Sequence, residues 1–138
     1  MAAKRVLIVL GKLKRGGAET LVMNIYRTID RSVVQFDFIV HTPDRYDYDD
    51  EIESLGGKIY RFPQYNVLNH FEYKRCWNRF FAEHPEYRII HAHMTGSASV
   101  FLPIAKKYGL VTIAHSHIAL SQKGIRPVSY THLRAHET

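Results

Sequence analysis

With one cysteine, Cys76, in its 138 residues, this chain has no partner thiol for an internal disulfide. A lone thiol suits a reducing compartment. Long hydrophobic runs are missing too. Val6–Leu10, which follows Lys4 and Arg5, is far short of the eighteen or so residues of a spanning helix. It is also too short for the apolar region of a signal peptide, and no cleavage site follows. The expected location is therefore cytoplasmic. There is no internal repeat, no low-complexity tract, no GxGxxG, no P-loop and no HExxH. Charge is only mildly unbalanced, at +6, and the basic residues are spread out apart from Lys12, Lys14 and Arg15. Such an excess suits anionic ligands or an acidic membrane surface. Without a recognition helix, finger or RNA-binding signature, no nucleic-acid partner is expected.

What the chain does have is concentrated first in Arg5–Thr20. The unbroken apolar run Val6–Leu10 reads as a strand buried on both faces, as in a parallel sheet covered by helices. A basic loop closed by Gly16-Gly17 follows. Ala18 then opens a helix carrying Leu21, Val22, Ile25, Tyr26 and Ile29 at helical spacing. Strand, glycine turn and helix start aim unpaired backbone N–H groups, and the positive end of a helix dipole, at one point. Gly16 and Gly17 either let a ligand approach the backbone closely or merely let the chain turn.

The alternation continues. Strands are expected at residues 33–41, 58–62, 87–93 and 110–115, and helices at 49–55, 71–83 and 97–108, with Gly56-Gly57 and Gly109 as helix stops. Alternating strands and helices predict a doubly wound α/β fold with a mostly parallel sheet and right-handed crossovers. Tyr73, Trp77, Phe80 and Phe81 form an aromatic helix face, core by default and otherwise membrane-facing. The acidic run Asp47, Asp49, Asp50, Glu51 and Glu53 reads as a solvated helix start. Residues 127–138 (PVSYTHLRAHET) show neither period and no net charge. They back-translate to something resembling a transposase adaptor used in sequencing-library preparation, so a non-native tail is expected there and a domain over residues 1–126.

Ligands of such sheets bind at the carboxyl ends of the strands. Gly16-Gly17, His41, His91 with His93, and His115 with His117 all fall at such ends. His91 and His93, two apart, share a side of a regular strand. His41 and His70 read as structural. His115 ends a buried run next to Ser116-His117, where an imidazole can donate a hydrogen bond to a sugar hydroxyl or stay charged against a phosphate. Thr95-Gly96-Ser97 offers a hydroxyl or anion cradle, or simply an N-cap at Ser97. No metal is expected, because ligand-spaced cysteines and carboxylates are lacking.

RGGAE, IIHAHMTG and TIAHSH, in this order, resemble the N-terminal half of the retaining glycosyltransferases of family four, group one, which have two Rossmann-like domains (the GT-B architecture). The likeness runs over about Arg5–Ser121 and is nearest to builders of capsular polysaccharide and exopolysaccharide. It implies a nucleotide-sugar donor, a glycan or lipid-linked acceptor, and no further cofactor. It places Gly16, Gly17 and Glu19 near the donor diphosphate and acceptor, His115 beside the reacting sugar as the catalytic residue, and His91 and His93 in the same site. It also implies a missing C-terminal nucleotide-sugar-binding domain, so that this chain alone is inactive. Peripheral contact with an anionic inner membrane face is a further expectation from the basic loop. The readings from other classes are a non-catalytic Rossmann-like nucleotide- or anion-binding module, and a metal-dependent hydrolase using the histidines.

Overall fold

A computed structural model describes residues 2–94 and 96–115. Five strands and four helices alternate: β1 (Lys4–Val9), α1 (Gly17–Thr28), β2 (Val34–Val40), α2 (Asp49–Ser54), β3 (Ile59–Arg61), α3 (His70–Glu83), β4 (Ile89–Ala92), α4 (Ala98–Lys107) and β5 (Val111–Ala114). The strands form one sheet in the order β3-β2-β1-β4-β5, and every neighbouring pair is parallel. The protein is a Rossmann-like α/β domain.

The apolar run in β1 has its predicted cause. Ile8, with Phe38 and Val40 of β2, points into a layer filled by Val22, Met23 and Tyr26 of α1 and Ile52 of α2. Leu7 and Val9, with Ile39 and Ile90, point into the opposite layer, built by Tyr73, Trp77, Phe80 and Phe81 of α3 and Phe101 and Ile104 of α4. A strand lined on both faces cannot alternate with polar residues. The aromatic face of α3 is therefore core, with Trp77 stacked on Phe101 at 4.4 Å between ring centroids.

Two helix stops depend on glycine. Gly109 has φ +88°. Its N–H donates to the Lys106 carbonyl, and the Leu110 N–H donates to that of Ala105, satisfying the carbonyls left over at the end of α4. Gly56, with φ +93°, ends α2 in the same way.

Two expectations need correction. In α1 the buried stripe is Val22, Met23 and Tyr26, whereas Leu21 and Ile25 are 40 % and 44 % exposed. The Tyr26 ring sets that rotation, stacking on Phe36 while its hydroxyl donates to Gln35 Oε1 at 2.5 Å. The acidic run is not simply solvated. Asp49 is buried and paired with Arg61, Asp50 and Glu53 hold Arg45, and Glu51 takes Arg27 through two bonds.

The amino half of the sheet is tied by Asp37 of β2, which is inaccessible to water. Arg5 Nη1 donates to both its oxygens, at 2.7 and 2.8 Å. The Tyr87 hydroxyl donates at 2.5 Å and the Lys58 N–H at 2.9 Å. The bond to Asp37 raises the Arg5 pKa, and burial raises that of the Tyr87 hydroxyl. Arg5→Ala is expected to destabilise the fold by about 3 kcal/mol, because it strands a buried carboxylate that keeps only Tyr87 and a backbone donor. Arg45→Ala, which breaks exposed pairs, should leave the urea midpoint nearly unchanged. Equal midpoint shifts for the two variants would contradict this account.

Candidate functional site

In a parallel sheet all strands deliver their following loops to one edge. The chain reverses its direction of travel across the sheet between β1, the central strand of the order, and its neighbour β4. The loops after these strands part to opposite faces and leave a crevice. The glycine loop follows β1, the His93–Ser97 segment follows β4, and His115 follows β5.

At the first of these, α1 begins at Gly17 with Gly16 as its N-cap. Neither glycine has a positive φ, so the turn itself does not require them. A Cβ on Gly17 would meet no heavy atom within 4 Å. A Cβ on Gly16 would sit 2.6 Å from Oε1 of Glu19, whose carboxylate folds back over the helix start. That carboxylate changes the electrostatics of the loop. It already faces the positive end of the α1 dipole and opposes a second anion there. Lys12, Lys14 and Arg15 are exposed around it.

His41 follows β2 but serves the fold. It is buried; its Nδ1 donates to the Leu10 carbonyl at 3.0 Å, and its Nε2 accepts from the Tyr73 hydroxyl at 2.6 Å. A carbonyl can only accept, so of the two neutral tautomers the one with its proton on Nδ1 makes the bond to Leu10 and leaves Nε2 to accept from Tyr73. Burial lowers the His41 pKa and raises that of Tyr73. His70 pairs through Nδ1 with the Tyr65 hydroxyl at 2.8 Å, also a structural contact.

The remaining histidines converge. β4 stops at Ala92, yet the His93 N–H still donates to the Val9 carbonyl at 3.0 Å. Beyond β5, the His115 N–H donates to the Ala92 carbonyl at 2.9 Å. The backbone ladder thus runs one residue past each strand end and holds both residues beside His91. Ring centroids lie 4.2 Å apart for His91 and His93, 5.3 Å for His93 and His115, and 5.9 Å for His91 and His115. All three side chains are half-buried, and one ligating nitrogen from each lies within 4.8 Å of the others.

Gly96 is exposed ahead of α4, with open space where a Cβ would stand. Ser97 occupies the N-cap position but is helical in φ and ψ and makes no side-chain cap; its hydroxyl lies 3.9 Å from the Met94 sulfur. The expected capping role is therefore not filled. Thr95, Ser116, His117 and the expected tail lie outside the described residues. Sequence reasoning passed over Val67, Leu68 and Phe71, which are 84 %, 98 % and 77 % exposed. Three large apolar residues within five positions, at the end of a polar loop and in the first turn of α3, were the available signal. Among the described residues, no helix is long and apolar enough to cross a membrane.

The glycine loop and the three histidines thus fall on the carboxyl edge of a Rossmann-like parallel sheet, the edge at which such sheets bind ligands. The model of Glycosyltransferase Family 4 matches residues 15–137, and the chain belongs to that family. It is 40 % identical over 115 residues to a Bacillus subtilis (strain 168) protein named as a candidate glycosyltransferase, EpsF. That match covers 83 % of this chain and 30 % of EpsF. MurG of Acinetobacter baumannii shares the fold, with a TM-score of 0.63 at 9 % identity, over 98 % of this chain and 39 % of MurG. The chain thus spans about a third of the length of these relatives.

The depressed His41 pKa has a consequence for stability. The unfolded state takes up a proton near pH 6.5 and the folded state only at lower pH, so stability is lost as pH falls below about 6.5. Thermal melts from pH 7 to 5 should show a falling midpoint. His41→Gln should be less stable at pH 7 by about 1–3 kcal/mol and should show a shallower fall; an equally steep one would remove His41 as the cause.

Proposed function

We propose that this chain is the acceptor-side domain of a retaining glycosyltransferase with two Rossmann-like domains, acting in the cytoplasm. The intact protein would move a hexosyl group from a nucleotide-sugar to a hydroxyl of a capsular or exopolysaccharide glycan, or of its lipid-linked precursor. The observation that carries the reading is the gathering of Gly16, Gly17 and Glu19 with His91, His93 and His115 on one edge of the sheet, in a chain of this family.

In such a transfer, negative charge grows on the departing diphosphate while the sugar becomes cationic at its anomeric carbon. The enzyme must supply oriented donors and a dry cleft rather than a strong nucleophile. His115 is suited to donate to a donor-sugar hydroxyl through a bond that tightens as the glycosidic bond breaks. Glu19, folded over the start of α1, favours a hydroxyl, which can donate to a carboxylate, over a phosphate, which cannot. On this reading the glycine loop receives the acceptor. The diphosphate is held chiefly by a second domain downstream, for which this chain supplies half the cleft. No further cofactor enters the reaction so described.

The test uses the enzyme restored to its natural length beside the 138-residue chain. The short chain should transfer no sugar. In the restored enzyme, His115→Gln should lower kcat/KM by about 100-fold or more. Gly17→Ala, whose Cβ meets nothing in the fold, should leave the melting midpoint in place while raising the acceptor KM. Turnover by the short chain, or an unaffected His115→Gln enzyme, overturns the proposal.

Contact with an anionic membrane surface belongs to the same reading. The basic loop after β1 and the apolar trio of Val67 and Leu68 before α3 and Phe71 in its first turn both lie on the carboxyl side of the sheet, the arrangement that grips headgroups and acyl chains together. Replacing Lys12, Lys14 and Arg15 with glutamine should weaken binding to phosphatidylglycerol vesicles at low salt by about 100-fold, at roughly 1 kcal/mol per charge. Unchanged binding would dispose of the basic contact.

A further inference from the structure

His91, His93 and His115 come from two adjacent strand ends that the backbone ladder holds side by side. β4 and β5 pair with His91 opposite Ile113 and Ala92 opposite Ala114. The two N–H bonds just beyond the strands then fix His93 and His115. We propose that this cluster is a binding site for one divalent transition metal ion of the imidazole-preferring class, with Zn2+ as its representative.

The donor set argues for that class. Three neutral nitrogens, with no carboxylate or thiolate among them, suit Zn2+, Co2+, Ni2+ or Cu2+ and discriminate against Mg2+ and Ca2+, which require oxygen. Spacing argued against a metal, since the chain has no HExxH and no cysteine or carboxylate at ligand spacing; in the sequence His91 and His93 stand more than twenty positions from His115. The parallel pairing of β5 with β4 closes that separation. The geometry lies within reach of side-chain torsions. Tetrahedral zinc with bonds of about 2.0–2.1 Å separates its nitrogens by about 3.4 Å, so a set whose atoms all lie within 4.8 Å of one another closes by at most about 1.4 Å. The His93 ring is inclined 32° to His91 and 45° to His115, while the outer two lie within 14° of parallel. Three protein ligands leave a fourth position for water or an anion from the crevice.

The consequence rests on the sugar-transfer reading above. A metal held here takes up His115, so metal binding and transfer exclude one another. The metal site itself does not rest on that reading, and its test uses no sugar.

The purified chain is titrated with ZnCl2 by calorimetry and with CoCl2 by visible absorption. The expected result is one equivalent bound, with the intense visible bands of four-coordinate Co2+ that Zn2+ bleaches. His91→Gln, His93→Gln and His115→Gln should each weaken binding by more than about tenfold, since losing a direct ligand costs at least as much as losing its outer hydrogen-bond partner. His70→Gln, outside the cluster, should not. Circular dichroism melts identify any variant that fails to fold, and the other two then carry the comparison. Absence of saturable one-equivalent binding overturns the proposal, as does binding that folded cluster variants retain at full strength. Either failure leaves the transfer assay of the restored enzyme to judge the glycosyltransferase reading on its own.

Discussion

A carboxylate with no access to water holds this sheet in register. Asp37 receives Arg5 from β1, Tyr87 from the approach to β4 and the backbone of Lys58 from the approach to β3. A buried carboxylate is costly unless every lone pair is answered, so the arrangement tolerates few alternatives. Sliding any of these three segments would strand it. Because parallel strands share a direction, a register set in their amino halves also sets where their carboxyl ends fall. The site at the far edge inherits its geometry from an ion pair that takes no part in it.

That division leaves the carboxyl edge to carry the candidate site. Gly17 could bear a Cβ without collision, and the histidine cluster sits half-buried at the ends of ladders already complete. His41, by contrast, has both ring nitrogens committed to Leu10 and Tyr73 and belongs to the core. Histidines at neighbouring strand ends thus divide into one buried in the core and three gathered half-buried at the carboxyl edge.

Much of this was legible in advance. The apolar run of β1, the glycine after α4 and the aromatic stripe of α3 follow from periodicity and backbone sterics, which act within a few residues. What went unread involved partners distant in the chain. Leu21 and Ile25 have the same spacing as buried residues, and only the seating of Tyr26 against Phe36 and Gln35 turns them outward. Asp49 looks like any acid at a helix start until Arg61, twelve residues on, reaches it. Ser97 has the identity of an N-cap, but its helical φ and ψ keep the side chain from capping.

Local patterning by itself determined the order and kind of the elements, the buried strand and the glycine-led helix start, because a residue's apolarity and backbone freedom act on its immediate surroundings. The meeting of His115 with His91 and His93, more than twenty positions earlier, was decided by tertiary structure alone. It needs β5 laid parallel beside β4, with each chain leaving the ladder one residue late. Contacts of that kind are set by strand pairing and sheet order, quantities that no window of neighbouring residues contains.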